Sequence, residues 1–139
     1  MNRTEADVFA DQAVQYIPRL RRYARALTGD AAAADRAATE VGIDHLTARP
    51  VHTLSGGQLQ RAFIARGLAQ VAAGAGLLLV DEPTSALDFG GRDLVADLLG
   101  RTSVTLVVVT HDRHLADSVD RRYEMAAGQL RLLSDGDAA

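Results

Sequence analysis

The stretch "LLLVDEPTSALD", residues 77–88, predicts a buried strand that ends in two adjacent carboxylates. A continuous apolar run of this length favours a parallel strand that is covered on both faces. Asp81 and Glu82 follow the run directly, and two such carboxylates are costly unless a cation or a partner neutralises one of them. Two interpretations remain open: a metal–nucleotide site, and a pair that caps the turn at Pro83.

A second apolar run, "VTLVVVT" at residues 104–110, is strongly β-branched and predicts a second buried strand. His111 follows it, at the edge where parallel sheets bind ligands. The histidine therefore either senses a terminal phosphate or has a structural role. His114 stands three residues further on and is expected to face solvent; because no third ligand accompanies the pair, we expect no metal site there.

The segment "LSGGQLQR", residues 54–61, precedes a predicted helix that runs from Gly57 to about Gln70. Ser55 is a favoured N-cap, and the first amides of a helix attract anions. A serine and two glycines in this place are by themselves more often an ordinary cap than a phosphate site. The expected buried side of the helix consists of Leu59, Phe63, Ile64 and Leu68.

From about residue 40 onward, helices and strands alternate, which predicts an α/β layered domain. Helices are expected over Leu87–Leu99 and Asp112–Val119, and a hairpin is expected to turn at Ala127-Gly128. The first forty residues predict a helical hairpin, with Pro18 interrupting its first arm and Asp30 capping its second. The tail from Ser134 is expected to be loose.

The composition excludes several classes of function. The chain has 139 residues, 47% of them hydrophobic and 24% charged, as expected for a globular protein. It has no cysteine, which excludes disulfides and thiolate metal sites, and its net charge of −3 argues against direct nucleic-acid binding. Its longest apolar stretch is about half of the roughly 20 residues that a membrane span requires. We expect a cytoplasmic protein, peripheral on the inner face of the membrane if it docks on a membrane partner.

Three of these stretches resemble the ATP-binding domain of the ABC transporter family. "LSGGQLQRAFIARGLA" is similar to the signature motif, "LLLVDEPTSALD" to the Walker B motif with its catalytic glutamate and D-loop, and "VTLVVVTHD" to the strand of the switch histidine. The resemblance covers about residues 40–133. It implies the C-terminal part of a P-loop NTPase fold, and ATP and Mg²⁺ as ligands.

The resemblance also implies roles for individual residues. Asp81 would serve Mg²⁺, while Glu82 and His111 would be catalytic, acting on the hydrolytic water and the γ-phosphate. Asp88 would act across a dimer of two such domains. The signature residues would contact the γ-phosphate of an ATP molecule held by a second ABC ATPase subunit, and these are Ser55, Gly56, Gly57 and Gln58.

The chain departs from the family pattern in one decisive respect. It contains no lysine, so it has no residue for the P-loop lysine that reaches the β- and γ-phosphates. We therefore expect an incomplete ATP-binding subunit, inactive in isolation, whose sheet lacks the P-loop strand. The strand at residues 104–110 would then have an exposed edge or pair directly with the hairpin.

The N-terminal residues, about 8–37, resemble the start of an extracytoplasmic-function sigma factor. This resemblance implies a sigma-like segment over residues 1–39, followed by the partial ABC domain at 40–133 and the tail at 134–139. It also implies a contact with RNA polymerase or an anti-sigma factor through residues 8–37. As a transporter subunit, the chain would also contact a membrane subunit. The alternatives to this role are a non-catalytic interaction module and a gene-fusion remnant.

Overall fold

The computed structural model describes residues 30–133, and its elements alternate between helices and strands as the sequence predicts. The first arm of the expected N-terminal hairpin and the tail from Ser134 lie outside the described residues. Short 3₁₀ turns occupy Asp44–Leu46 and Val51–Thr53. The main elements are α1 (Ala31–Glu40), α2 (Gly56–Ala72), β1 (Leu77–Asp81), α3 (Phe89–Gly100), β2 (Thr105–Val109), α4 (Arg113–Asp117), β3 (Arg122–Ala126) and β4 (Gln129–Leu133).

Each of the four α-helices within residues 30–133 begins at a side-chain cap. The Asp30 carboxylate accepts hydrogen bonds from the backbone N–H groups of Ala32 and Ala33, which confirms the predicted start of α1. Ser55 caps α2, as predicted, whereas Asp112, expected as the first residue of a helix that runs to Val119, instead caps α4 from outside it. The expected start of α3 at Leu87 is wrong by two residues, because Asp88 caps this helix from outside it by accepting from Gly91 N–H.

Strands β1 and β2 form a parallel pair that places a buried face against the helices. Leu78 pairs in register with Leu106, and Val80 pairs with Val108. Helices α2 and α3 supply residues to the same hydrophobic core, among them Ile64 and Leu99. Both helices therefore cover one face of this sheet.

The prediction that β1 is buried on both faces is wrong, and β2, predicted as a buried strand, is likewise covered on one face only. Leu79 and Val107 are register partners on the opposite face, and they are 66% and 45% exposed. Leu77 and Val109 on that face are also exposed. A continuous apolar run does not distinguish one covered face from two, since both patterns contain the same residue types. The prediction for Phe63 is also wrong, because its ring is exposed and lies beneath the Arg66 guanidinium at 5.3 Å.

Within residues 30–133, β2 pairs only with β1, and β3 and β4 form a separate antiparallel hairpin. The hairpin turns at Ala127 and Gly128, with φ values of 50° and 76°, as a two-residue turn of type I′ requires. The predicted hairpin is confirmed. The hairpin does not pair with β2 among the described residues. Of the two alternatives predicted for the edge of β2, direct pairing with the hairpin is therefore wrong. The absence of a P-loop strand stays a prediction, since residues 1–29 are not described.

Helix α1 packs against α2, and its small side chains lie in the shared core. Ala37 and Ala38 belong to the same buried cluster as Ile43, Ile64 and Leu99. This packing crosses the boundary that the sequence analysis places between residues 39 and 40, and that boundary stays a prediction. None of the helices in the described part of the chain has the length and apolar character of a membrane span.

Candidate functional site

The parallel arrangement of β1 and β2 brings their carboxyl-terminal residues to one edge of the sheet. Glu82 follows β1, and its backbone N–H donates to the carbonyl of Val109, the last residue of β2, at 2.7 Å. The Nε2 atom of His111 lies 3.7 Å from Oε1 of Glu82. Asp81 is exposed at the same edge. The structure thus places Glu82 and His111, predicted from separate stretches, side by side.

The backbone of Glu82 has an unusual conformation that the surrounding donors stabilise. Its φ is 46°, in the left-handed region that non-glycine residues adopt at a cost of about 1–2 kcal/mol. The Glu82 carbonyl accepts three hydrogen bonds: from Ser85 N–H at 3.2 Å, from Ser85 Oγ at 3.0 Å and from Gln60 Nε2 at 3.1 Å. These bonds fix the direction in which the carboxylate leaves the strand.

The N-terminal turn of α2 is closed by a capping box. The Ser55 hydroxyl accepts from Gln58 N–H at 3.2 Å, and the Gln58 side chain accepts from Ser55 N–H at 2.9 Å. The amides of Gly56 and Gly57 precede these bonds at the positive end of the helix, where no earlier carbonyl of the helix accepts from them. The turn therefore leaves two backbone N–H groups that can donate to an anion.

Gly57 has a structural reason to lack a side chain. A Cβ atom there would lie 3.1 Å from the carbonyl oxygen of Ala86 and 3.8 Å from a Leu87 methyl. A Cβ atom at Gly56 would lie 3.8 Å from the Ala86 Cβ, which is an ordinary contact. The loop after β1 therefore packs directly on the first turn of α2, and only Gly57 requires the close approach.

Asp88 has a local role besides the one implied across a dimer. Its Oδ1 accepts from Gly91 N–H at 2.9 Å, and the same atom lies 4.0 Å from NH2 of Arg61. Arg61 also donates from NH1 to the carbonyl of Val41, at the end of α1. Arg61 thus connects α2 to the end of α1 and to the residue that caps α3.

Behind the exposed edge, a buried hydroxyl and a capping carboxylate connect the loop that follows β1 with the loop that follows β2. Thr84 is 2% exposed, and its hydroxyl donates to Asp112 Oδ2 at 2.9 Å. Burial alone would raise the pKa of Asp112, but hydrogen bonds from Thr84, Leu115 and His114 and the charge of Arg92 outweigh it, so that pKa lies below the ordinary 3.8. Asp112 is therefore ionised at neutral pH and holds Thr84 in place.

The described residues contain no cluster of three or more histidine, aspartate or glutamate side chains that would enclose a metal ion. Asp81 has an exposed carboxylate, the kind of oxygen ligand that Mg²⁺ prefers. His114 is exposed, as expected, and lies 3.5 Å from Asp93 rather than forming a pair with His111.

A sequence profile of the ABC transporter family matches residues 3–85, more than half of the chain. The chain belongs to the ABC transporter family. The match contains the signature stretch and the β1 stretch that carry the resemblance. It also includes residues 3–39, so it gives no support to the comparison of that segment with a sigma factor.

Three relatives illustrate the likeness. The lipoprotein-releasing system ATP-binding protein LolD of Nitratidesulfovibrio vulgaris is 44% identical over 101 residues, which cover 70% of this chain and 42% of the relative. The hemin import ATP-binding protein HmuV of Rhodopseudomonas palustris is 42% identical, with 73% and 41% covered. LolD of Anaeromyxobacter dehalogenans is 39% identical, with 86% and 50% covered. The chain thus spans half or less of the length of these relatives.

Solved ABC transporter cassettes have the same fold over the matched part. The dimeric structure of the bacterial cassette MJ0796 gives a TM-score of 0.66 at 30% identity, over 72% of this chain and 44% of that one. A post-hydrolysis dimer of MJ0796 bound to ADP and Pi gives a TM-score of 0.68 at 30% identity, over 74% and 46%. The described residues therefore form part of an ABC-type α/β cassette.

Three residues of the site make contacts that the sequence does not predict: Gln60, Thr84 and Asp112. Thr84 and Asp112 lie 28 positions apart, and Gln60 and Glu82 lie 22 apart. Asp112 was recognised only as a helix start. No local pattern predicts these pairs, because each depends on how the loop after β1 packs on its neighbours.

Proposed function

We propose that this chain acts as an ATP-binding component of an ABC transporter and supplies half of a nucleotide site. The first turn of α2, at Ser55, Gly56 and Gly57, contacts the γ-phosphate of ATP that a second ABC ATPase subunit holds on its P-loop. Gln58 fixes the turn through the capping box. The chain works beside a membrane subunit, at the cytoplasmic face of the membrane.

One observation carries this proposal: α2 presents a capped turn with two available amides, in a family whose cassettes are found as dimers. Amides at a helix N-terminus favour an anion through their hydrogen bonds and the helix dipole. The chain offers no lysine for a P-loop of its own. The α2 turn therefore contacts the triphosphate of a nucleotide that another subunit holds.

The residues at the sheet edge have proposed roles of their own. Asp81 holds Mg²⁺ through its carboxylate, and Glu82 orients the attacking water when a nucleotide lies at this edge. His111, next to Glu82, contacts the γ-phosphate, and Asp88 contacts the opposite subunit. Positioning of the phosphates supplies most of the rate in phosphoryl transfer, so without a P-loop these residues do not hydrolyse ATP in the isolated chain.

The proposal does not extend to a transported substrate. By their names, LolD proteins serve lipoprotein release and HmuV proteins serve hemin import, and this chain is about equally similar to both. It also does not draw on residues 8–37, for which a sigma-like contact has no support from the described residues. Because the chain has no lysine, we favour a role in which it contributes the α2 turn to a partner's ATP and does not hydrolyse ATP itself.

The test mixes the purified chain with a complete ABC cassette whose own signature serine is replaced by arginine. That cassette has a P-loop but cannot close on a second copy of itself, so the intact signature turn comes from this chain alone. Retention of radiolabelled Mg-ATP on gel filtration is measured for each protein and for the mixture. We expect the mixture to retain ATP and neither protein to retain it by itself. Turnover by the isolated chain that Glu82→Gln abolishes, or equal retention by the cassette with and without the chain, would contradict the proposal.

A further inference from the structure

Gln60 connects the α2 turn with the sheet edge. Its side-chain amide crosses from α2 to the end of β1 and donates to the Glu82 carbonyl at 3.1 Å. Gln60 lies five residues after Ser55, about 1.4 helical turns further along. The acceptor belongs to the residue with φ of 46°, whose own N–H is bonded to β2. The bond therefore runs from the helix to a residue of the edge whose backbone is held in the left-handed region.

A second contact near the start of α2 attaches the helix to the loop after β1 at two points. The loop after β1 approaches Gly57 through the Ala86 carbonyl, and it holds Gln60 through the Glu82 carbonyl. Two separate contacts restrict both the position and the rotation of the helix start, whereas one alone would leave it free to pivot. The direction of the Gly56 and Gly57 amides then depends on both.

We propose that Gln60 is a positioning residue that fixes the α2 turn for the γ-phosphate and couples it to the backbone of Glu82. The role in nucleotide contact rests on the proposed function. Gln60 does not touch the nucleotide; it acts through the orientation of the turn. A change in the conformation of Glu82 is transmitted to the turn through the same bond, so the half-site offered to a partner depends on the state of this chain's own sheet edge.

The first test concerns the chain alone and compares Gln60→Met with Gln70→Met. Methionine matches glutamine in length but donates no hydrogen bond, and Gln70 lies on the same helix ten residues after Gln60. We expect faster hydrogen exchange at the amides of Gln58 and Leu59 in Gln60→Met only, with the later turns of α2 unchanged. Unchanged exchange at both amides would overturn the proposal. If Gln60→Met does not fold, Gln60→Glu with Gln70→Glu makes the same comparison.

The second test measures ATP retention by the mixture with the complete cassette. Loss of one hydrogen bond corresponds to a decrease of about fivefold in Gln60→Met, and Gln70→Met is expected to match the unmodified chain. The effect should largely disappear in a Ser55→Ala background, because Gln60 acts through the turn that contains Ser55; a merely structural role would give additive effects. If Ser55→Arg abolishes retention but Gln60→Met does not change it, the inference is wrong and the proposed function stands. If the unmodified chain gives no retention, the proposed function is wrong, and the exchange measurement still decides whether Gln60 fixes the turn.

Discussion

Ser55→Arg is expected to lower ATP retention by the mixture of this chain and a complete cassette about a hundredfold or more. The arginine side chain fills the space in front of the Gly56 and Gly57 amides, so that the triphosphate cannot approach them. Two lost hydrogen bonds to a charged phosphate, at about 1.5–3 kcal/mol each, correspond to this size of effect. The measurement is the amount of Mg-ATP that co-elutes with the complex as the chain is titrated.

Two further variants separate loss of the nucleotide contact from loss of the helix cap. Ser55→Asp keeps a strong N-cap and adds a negative charge, so we expect normal thermal stability together with lost retention. His52→Arg places the same arginine side chain on an exposed residue three positions earlier, and should leave retention unchanged. Normal retention in both Ser55 variants would show that the turn does not meet the phosphate.

Leu78→Ala is expected to lower the free energy of unfolding by about 3 kcal/mol, within the range for buried leucines. Leu78 is 7% exposed and is part of the core formed with α2 and α3. Its Cδ1 atom lies against Gly67 of α2, where even a Cβ atom would come within 2.8 Å. Removal of this side chain opens a cavity between strand and helix. Urea unfolding followed by circular dichroism measures the loss.

Leu79→Ala is the matched control, since it makes the same change at the next residue of the same strand. Leu79 is 66% exposed on the opposite face, so we expect a loss below about 1 kcal/mol. A loss as large as that of Leu78→Ala would mean that the second face of β1 is covered in solution. The comparison therefore tests the one-sided sheet directly.

Local sequence patterns predict much of this fold. Asp30 and Ser55 start helices where capping rules place them, and the hairpin turns at Ala127-Gly128, where Gly128 adopts a positive φ without strain. These features depend on a few neighbouring residues. The parallel arrangement of β1 and β2 also follows from the alternation of strands with helices.

Features that depend on distant contacts could not be predicted in the same way. Leu79 and Phe63 are as apolar as their buried neighbours, and their exposure is decided by which helices cover β1 and which face of α2 meets the core. The motifs placed Glu82 and His111 at ends of strands, and the parallel pairing then brought them together. Gln60 carries no motif of its own, because its role exists only once Glu82 adopts its left-handed backbone.

The most direct test of the central claim is an amide NMR titration of the isotope-labelled chain with Mg-ATP, first alone and then with the complete cassette present. The account predicts no saturable shifts in the chain alone. With the cassette, the amides of Ser55, Gly56 and Gly57 should shift only when ATP is also added. Saturable shifts at Asp81, Glu82 and His111 with Mg-ATP alone would contradict the account, because they would show a nucleotide bound at the chain's own sheet edge.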